Sequence, residues 1–231
     1  MAIVVLLAAG TGTRFNHSLP KQLVNLDGKP LIEHSIKVFY DHEEVDEITI
    51  VTSSELIERI TEISKPYESK VKQIIKGGET RSESSFAGLE SIKSNANLKV
   101  LIHDGARPFI SSEMISECIK ALDAYDAVSV AVPCNETTFE VKEGEVFRIP
   151  DRNSLMRAQT PQGFRLQRII SGHKQLKNDE SFVPTDDCGV IAKYFPETPI
   201  SIIKGSERNI KVTFPQDILT AETLLKEENL S

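Results

Sequence analysis

The sequence predicts an α/β protein built on a doubly wound, mainly parallel sheet. Short apolar runs bounded by turn residues recur at Ile3 to Leu7, Ile48 to Val51, Val71 to Ile75, Val100 to His103 and Val128 to Val132. Such runs suit strands covered on both faces. Helix-period stretches lie between them, at Leu31 to Tyr40, Leu56 to Ile63, Ser84 to Ile92 and Met114 to Leu122. Strands alternating with helices imply right-handed crossovers and hence parallel pairing. No Pro-, Gly- or Ser-rich linker divides the 231 residues, so one domain over 1–231 is expected.

The elements follow in order. Thr80 and Glu83 have capping-box spacing ahead of the helix that begins near Ser84. After Pro133 the rhythm changes: Thr137 to Val141 and Val146 to Ile149 flank Lys142-Glu143-Gly144-Glu145, the pattern of a hairpin. A projecting β-arm at about 134–152 is therefore expected. Beyond it the periodicity predicts helices over Leu166 to Leu176 and Asp186 to Tyr194, a strand at Ile200 to Lys204, and a last helix opened by Pro215.

Composition excludes several classes of partner. Lys and Arg number 27 against 34 Asp and Glu, a net charge of -7, which argues against nucleic acid and anionic membranes. The apolar start, Ile3 to Ala9, lacks a basic flank and is too short to span a bilayer. Three widely spaced cysteines, Cys118, Cys134 and Cys188, suggest neither a disulfide framework nor a zinc site, and a reducing cytoplasm is expected.

Chemistry concentrates after the first strand, in Leu7-Ala8-Ala9-Gly10-Thr11-Gly12-Thr13-Arg14 followed by Leu19-Pro20-Lys21-Gln22. Small residues let backbone N–H groups close on an anion, while Arg14 and Lys21 neutralise phosphate charge from either end of the loop. The loop lacks a Walker A ending and does not fit the dinucleotide fingerprint, which disfavours a kinase or dehydrogenase. A tight turn carrying two solvated cations is the bland alternative. Gly77-Gly78 follows a predicted strand and opens a helix, a place where backbone can press against a base, although a plain Gly-Gly turn has the same look. Asp104 follows the apolar run at 100–103, at the sheet edge where open α/β folds bind ligands, and a carboxylate there suits Mg²⁺. As a purely structural feature, Asp104 would be a turn former paired with Arg107.

Taken together, these segments resemble the polyol-phosphate cytidylyltransferases. The likeness continues through Gly77-Gly78-Glu79-Thr80-Arg81-Ser82-Glu83-Ser84, His103-Asp104-Gly105-Ala106-Arg107-Pro108, Ala158-Gln159-Thr160-Pro161-Gln162, Thr185-Asp186-Asp187 and Asn209-Ile210-Lys211-Val212-Thr213. It implies a Rossmann-like nucleotidyltransferase fold and transfer of CMP from CTP to a polyol phosphate with loss of pyrophosphate. Arg14, Lys21 and Lys211 would be catalytic, and Ala8, Ala9, Gly10, Thr11, Gly12, Gly78, Glu79, Arg81, Ser84, Gly105 and Ala106 would surround the nucleotide. Asp104 would hold Mg²⁺. Arg107, Thr137, Arg152, Thr160 and Thr185 would meet the acceptor, Thr137 and Arg152 by reaching from the arm into the other subunit of a homodimer. The arm departs from the family pattern, with Glu136-Thr137-Thr138-Phe139 where Asp-Thr and a following Lys are usual.

The expected acceptor is 2-C-methyl-D-erythritol 4-phosphate, of isoprenoid precursor synthesis, with ribitol 5-phosphate as the alternative. More distant readings are a sugar-1-phosphate or molybdopterin nucleotidyltransferase and a nucleotide-binding regulator without turnover.

Overall fold

The computed structural model describes residues 2–10, 15, 19–94 and 98–228. Its centre is a seven-stranded sheet. The strands are β1 (Ala2–Ala8), β4 (Val45–Thr52), β5 (Val71–Lys76), β6 (Lys99–Asp104), β7 (Ala127–Pro133), β10 (Met156–Arg165) and β11 (Ile200–Lys204), in the spatial order β11-β7-β10-β6-β1-β4-β5. All neighbours pair in parallel except β10, which runs antiparallel to both β6 and β7.

The runs in β1, β4, β6 and β7 are buried on both sides because helices cover both faces, whereas β5, at the sheet edge, is only partly buried. In β1, Val4 and Leu6 join a core with Ile36 and Phe39 of α1 (Leu31–Asp41), Ile60 of α2 (Ile57–Ser64) and Ile115 of α4 (Ser112–Ala121). Val5 and Leu7 face the other way, toward Leu89 of α3 (Arg81–Ser91), Ile169 of α5 (Leu166–Leu176) and Val190 of α6 (Asp187–Tyr194). Both predicted strand and helix series are therefore present, and the doubly wound, mainly parallel sheet is the observed architecture. The last helix, α7 (Gln216–Glu228), docks Ala221 in a smaller core with Leu26, Leu31, Phe109 and Val212.

The sequence pattern assigns no element to residues 156–165, yet these form β10, the strand between β6 and β7. Pro161 breaks the expected strand pattern because proline cannot donate to a ladder. It is accommodated where the register with β7 shifts between Ala158 and Gln162. Gln162 is buried here, and its side chain serves α6: Oε1 accepts from the N–H groups of Asp187 (3.0 Å) and Cys188 (3.2 Å).

The arm is shorter in strand than its pattern predicts, with β8 (Glu140–Lys142) and β9 (Glu145–Arg148). Glu143 and Gly144 both take positive φ, the geometry a two-residue hairpin turn requires. A smaller hairpin joins β2 (Asn25–Leu26) to β3 (Lys29–Pro30). Among the described residues no helix is long and apolar enough to cross a membrane.

Candidate active site

The carboxyl ends of β1, β4 and β6 converge at one edge of the sheet. Chain order reverses between β1 and β6, and ligands of open α/β sheets bind in the crevice beyond such a reversal. Backbone bonds draw the loops together there: Gly105 N–H donates to Leu7 O at 2.9 Å and Gly77 N–H to Thr52 O at 2.8 Å. Gly77 is required by close approach, since a Cβ would stand 2.6 Å from Ser84 Oγ and 2.7 Å from Ala9 Cβ. The Gly77-Gly78 loop is thereby laid against the first loop.

Ala8 ends β1 and Ala9 and Gly10 follow it, while Thr11, Gly12 and Arg14 lie outside the described residues. Gln22, a residue that sequence reasoning left unassigned, returns to the end of β1 and donates from Nε2 to the carbonyls of Ala8 and Gly10, the latter at 2.7 Å. It sits in the one-turn 3₁₀ segment Lys21–Leu23, which these bonds hold beside the end of β1.

Asp104 is the centre of the charged cluster. Its carboxylate accepts from Arg81 Nε at 3.1 Å on Oδ1 and from Lys211 Nζ at 2.6 Å on Oδ2. Burial alone would push this carboxyl upward, but Arg81 and Lys211 outweigh it and hold the group far below the usual carboxylate range. Arg81 is placed by the capping box of α3, in which Thr80 Oγ1 accepts from Glu83 N–H (3.1 Å) and Glu83 Oε2 from Thr80 N–H (2.9 Å). Ser84 spends its hydroxyl on Thr80 O at 3.0 Å, and Glu79 is exposed.

Lys211 is delivered by a pinned segment. Asn209 Nδ2 donates to Thr160 O (3.0 Å) and Gln159 Oε1 (3.2 Å), and Val212 N–H donates to Ala106 O at 2.9 Å. Arg107 Nη1 donates to Asn209 O at 2.7 Å, tying the Gly105-Ala106-Arg107 turn to the same segment. Asn209 was another silent position in the sequence, legible only as a neighbour of Lys211.

Thr160 is buried with its hydroxyl committed. It accepts from Asp104 N–H at 3.1 Å and lies 3.1 Å from His103 Nδ1. His103 Nε2 faces the carbonyl of Arg107 at 3.0 Å, which can only accept, so Nε2 carries the proton and Nδ1 accepts from Thr160. His103 is thus a neutral, structural histidine supporting Asp104.

The structure gathers Asp104, Arg81, Lys211, Arg107 and Thr160 into one constellation. Thr137 and Arg152 sit apart on the exposed arm, where Arg152 Nη1 donates to Asn135 O at 3.4 Å. The base of the arm is anchored by Arg157 against Glu207 and by Asn135 against the same carboxylate. Thr185 is exposed just before α6, whose N-cap Asp186 accepts from Gly189 N–H at 2.8 Å.

Comparison with known proteins decides the family. A family model described as "IspD: 2-C-methyl-D-erythritol 4-phosphate cytidylyltransferase" matches residues 2–227. The chain belongs to that family. A 2-C-methyl-D-erythritol 4-phosphate cytidylyltransferase of Thermobifida fusca is 40% identical over 227 residues, covering 95% of this chain and 91% of that protein. The bifunctional ribulose 5-phosphate reductase/CDP-ribitol pyrophosphorylase Bcs1 of Haemophilus influenzae is 38% identical over 97% of this chain, which spans 48% of that longer protein. Among solved structures, 4-diphosphocytidyl-2C-methyl-D-erythritol synthase of Anaerococcus prevotii superposes with a TM-score of 0.87 at 27% identity, covering 97% of this chain and 98% of that one. The enzyme is a nucleotidyltransferase, as the resemblance implied.

Proposed function

We propose that Arg14, Lys21, Lys211 and Asp104 carry the cytidylyl transfer that this enzyme catalyses from CTP to 2-C-methyl-D-erythritol 4-phosphate, with release of pyrophosphate. The observation that carries this reading is the Lys211–Asp104–Arg81 cluster at the sheet's reversal point, beside a loop of small residues.

An acceptor phosphate oxygen attacks the α-phosphorus of CTP in line, the new P–O bond forming as the bond to the β-phosphate oxygen breaks and pyrophosphate leaves opposite. An ionised phosphate monoester is already a nucleophile, so the protein needs no covalent intermediate. Its work is to hold two anions together and to stabilise charge on the α-phosphate and leaving group. Lys21 and Arg14 take the triphosphate side, and Lys211 leaves Asp104 for the phosphate when substrate arrives. Gly78 and the first turn of α3 offer backbone donors to the base, and Arg107 supports the acceptor phosphate.

The donor set also fits Mg²⁺. Asp104 presents one carboxylate, and Mg²⁺ is commonly held by one or two carboxylates with phosphate oxygens and water completing its shell. Asp104 would hold the ion, which when bound supplies positive charge to the phosphates.

The arm supports a homodimer in which Thr137 and Arg152 reach the neighbouring site. Phe139, Val141, Val146, Phe147 and Ile149 are all more than half exposed on it, an apolar load that a second copy would cover.

The test is pyrophosphate release with CTP, UTP or GTP against methylerythritol, ribitol, ribulose and glycerol phosphates. CTP with methylerythritol 4-phosphate should give the highest kcat/KM. The Haemophilus relative keeps ribitol 5-phosphate as the second reading, and a preference for it in this panel would overturn the first.

A further inference from the structure

Asp187 belongs to the Thr185-Asp186-Asp187 motif, in which only Thr185 carries an assigned role. Its side chain is 1% exposed and lies at the first turn of α6. Three side chains hold its carboxylate: Ser85 Oγ donates to Oδ1 at 2.6 Å, His173 Nε2 lies 3.0 Å from Oδ1, and Arg81 Nη1 donates to Oδ2 at 2.7 Å. Its backbone is fixed as well, through Gln162 Oε1. Helices α3, α5 and α6 and strand β10 therefore converge on one buried carboxylate. His173 itself is stacked on Phe86, with ring centroids 5.4 Å apart.

Arg81 joins this anchor to the active site. The same guanidinium donates Nη1 to Asp187 and Nε to Asp104, while Nη2 is buried without a partner among the described residues. A planar guanidinium gripped at two edges by two carboxylates has a fixed plane, so the direction of its Nε–H is set by Asp187.

We propose that Asp187 is a positioning residue for the transfer: acting through Arg81, it holds the Asp104 carboxylate in place while Lys211 moves between that carboxylate and the substrate phosphates. Stability is a poor explanation for the network. Desolvating several charges costs as much as their attraction returns, and buried ion pairs are often replaceable by apolar side chains without loss. Function explains it better. If Lys211 were the only partner of Asp104, the carboxylate would follow the lysine toward the phosphates. With Arg81 locked from behind, Asp104 keeps its place and its charge. The Asp187 carboxyl is itself kept ionised, since burial pushes it up but Arg81 and His173 more than offset that.

The inference rests on the reading of Asp104 and Lys211 given above, and steady-state kinetics on the full-length enzyme separate the two. Asp187→Asn keeps the shape and removes the charge. It should lower kcat/KM for CTP roughly tenfold while KM for the acceptor stays within about twofold. Arg81→Gln should cost at least as much, and the Asp187→Asn/Arg81→Gln double variant should match Arg81→Gln within about twofold, because residues acting in series are not additive. A purely structural Asp187 would leave these kinetics near wild type or give losses that multiply in the double variant, and either result overturns the proposal. Should Asp187→Asn fail to fold, Ser85→Ala decides, since it removes one hydrogen bond to the anchor. A drop of about twofold or more in kcat/KM in a folded protein supports the relay, and wild-type kinetics sink it. Asp104→Asn distinguishes the two readings: unimpaired turnover in that variant removes Asp104 from the mechanism and the relay with it, whereas an impaired Asp104→Asn beside a wild-type-like Asp187→Asn removes the relay alone.

Discussion

Lys211 Nζ and Asp104 Oδ2 stand 2.6 Å apart, although the two residues are 107 positions apart in the chain. The lysine is about one-third exposed, whereas the carboxylate is 10% exposed and also held by Arg81. The pair is therefore asymmetric: the lysine can leave without stranding the aspartate.

From that asymmetry, Lys211→Ala should lose turnover and keep its fold. Removing one cation that stabilises charge on reacting phosphate costs on the order of 10²-fold in kcat, roughly 3 kcal/mol. Asp104 retains Arg81, so the thermal midpoint should move little. Near-normal kcat in Lys211→Ala would take the lysine out of the transfer step.

His103 gives the enzyme an acid limit. It is fully buried, and burial lowers its imidazole to about 4 from 6.5, a shift the hydrogen bond to Arg107 O only partly opposes. Between those values the unfolded chain binds a proton that the folded protein refuses, so stability falls as pH drops from 6.5 toward 4. The shift corresponds to roughly 3 kcal/mol across the window. Denaturant midpoints taken without added metal at neutral pH and near pH 5 should show the decline, and His103→Gln should flatten it. An equally steep slope in His103→Gln would assign the acid sensitivity to other groups.

Much of this was legible from residue order alone, and the exceptions share a cause. Buried parallel strands announce themselves as apolar runs, which is why β1, β4, β6 and β7 follow from the sequence, while the half-buried edge strand β5 is marked by Val71, Ile74 and Ile75. The capping box of α3 is local, so its reading needed only the spacing of Thr80 and Glu83. Strand β10 carries Gln159, Thr160, Pro161 and Gln162 at its middle, and its polar side chains are satisfied by partners distant in the chain, such as Asp186 and Asn209. No window of sequence shows those partners. The same holds for Asp187, whose weight comes from Arg81, 106 positions earlier. The loop after β1 could be read for its residue types, although Thr11, Gly12 and Arg14 fall outside the described residues.

The capping box carries a stability prediction with a functional edge. Thr80→Ala removes the acceptor for Glu83 N–H and should cost about 1 kcal/mol of unfolding free energy. Arg81 is the first residue of α3, so loosening this turn should also lower kcat/KM, whereas Thr80→Ser restores both. Urea unfolding alongside kinetics checks the pair. A stability loss without a kinetic one would mean that Asp104 and Asp187 hold Arg81 without help from the helix end.

The arm can be tested by mixing defects. Arg152 is exposed, and among the described residues its side chain makes one hydrogen bond, at 3.4 Å to Asn135 O within the arm, with none to Asp104. If it serves the neighbouring site, Lys21→Ala and Arg152→Ala damage different halves of a shared centre. Lys21→Ala alone should lower kcat by about two orders of magnitude, as expected for removing one group that stabilises developing charge. Arg152→Ala should mainly raise KM for the acceptor. When the two variants are co-expressed, mixed dimers contain one site with both residues intact and should recover activity that neither parent shows. If the mixture is no more active than the average of its parents, each site is built from a single chain and the arm serves assembly only.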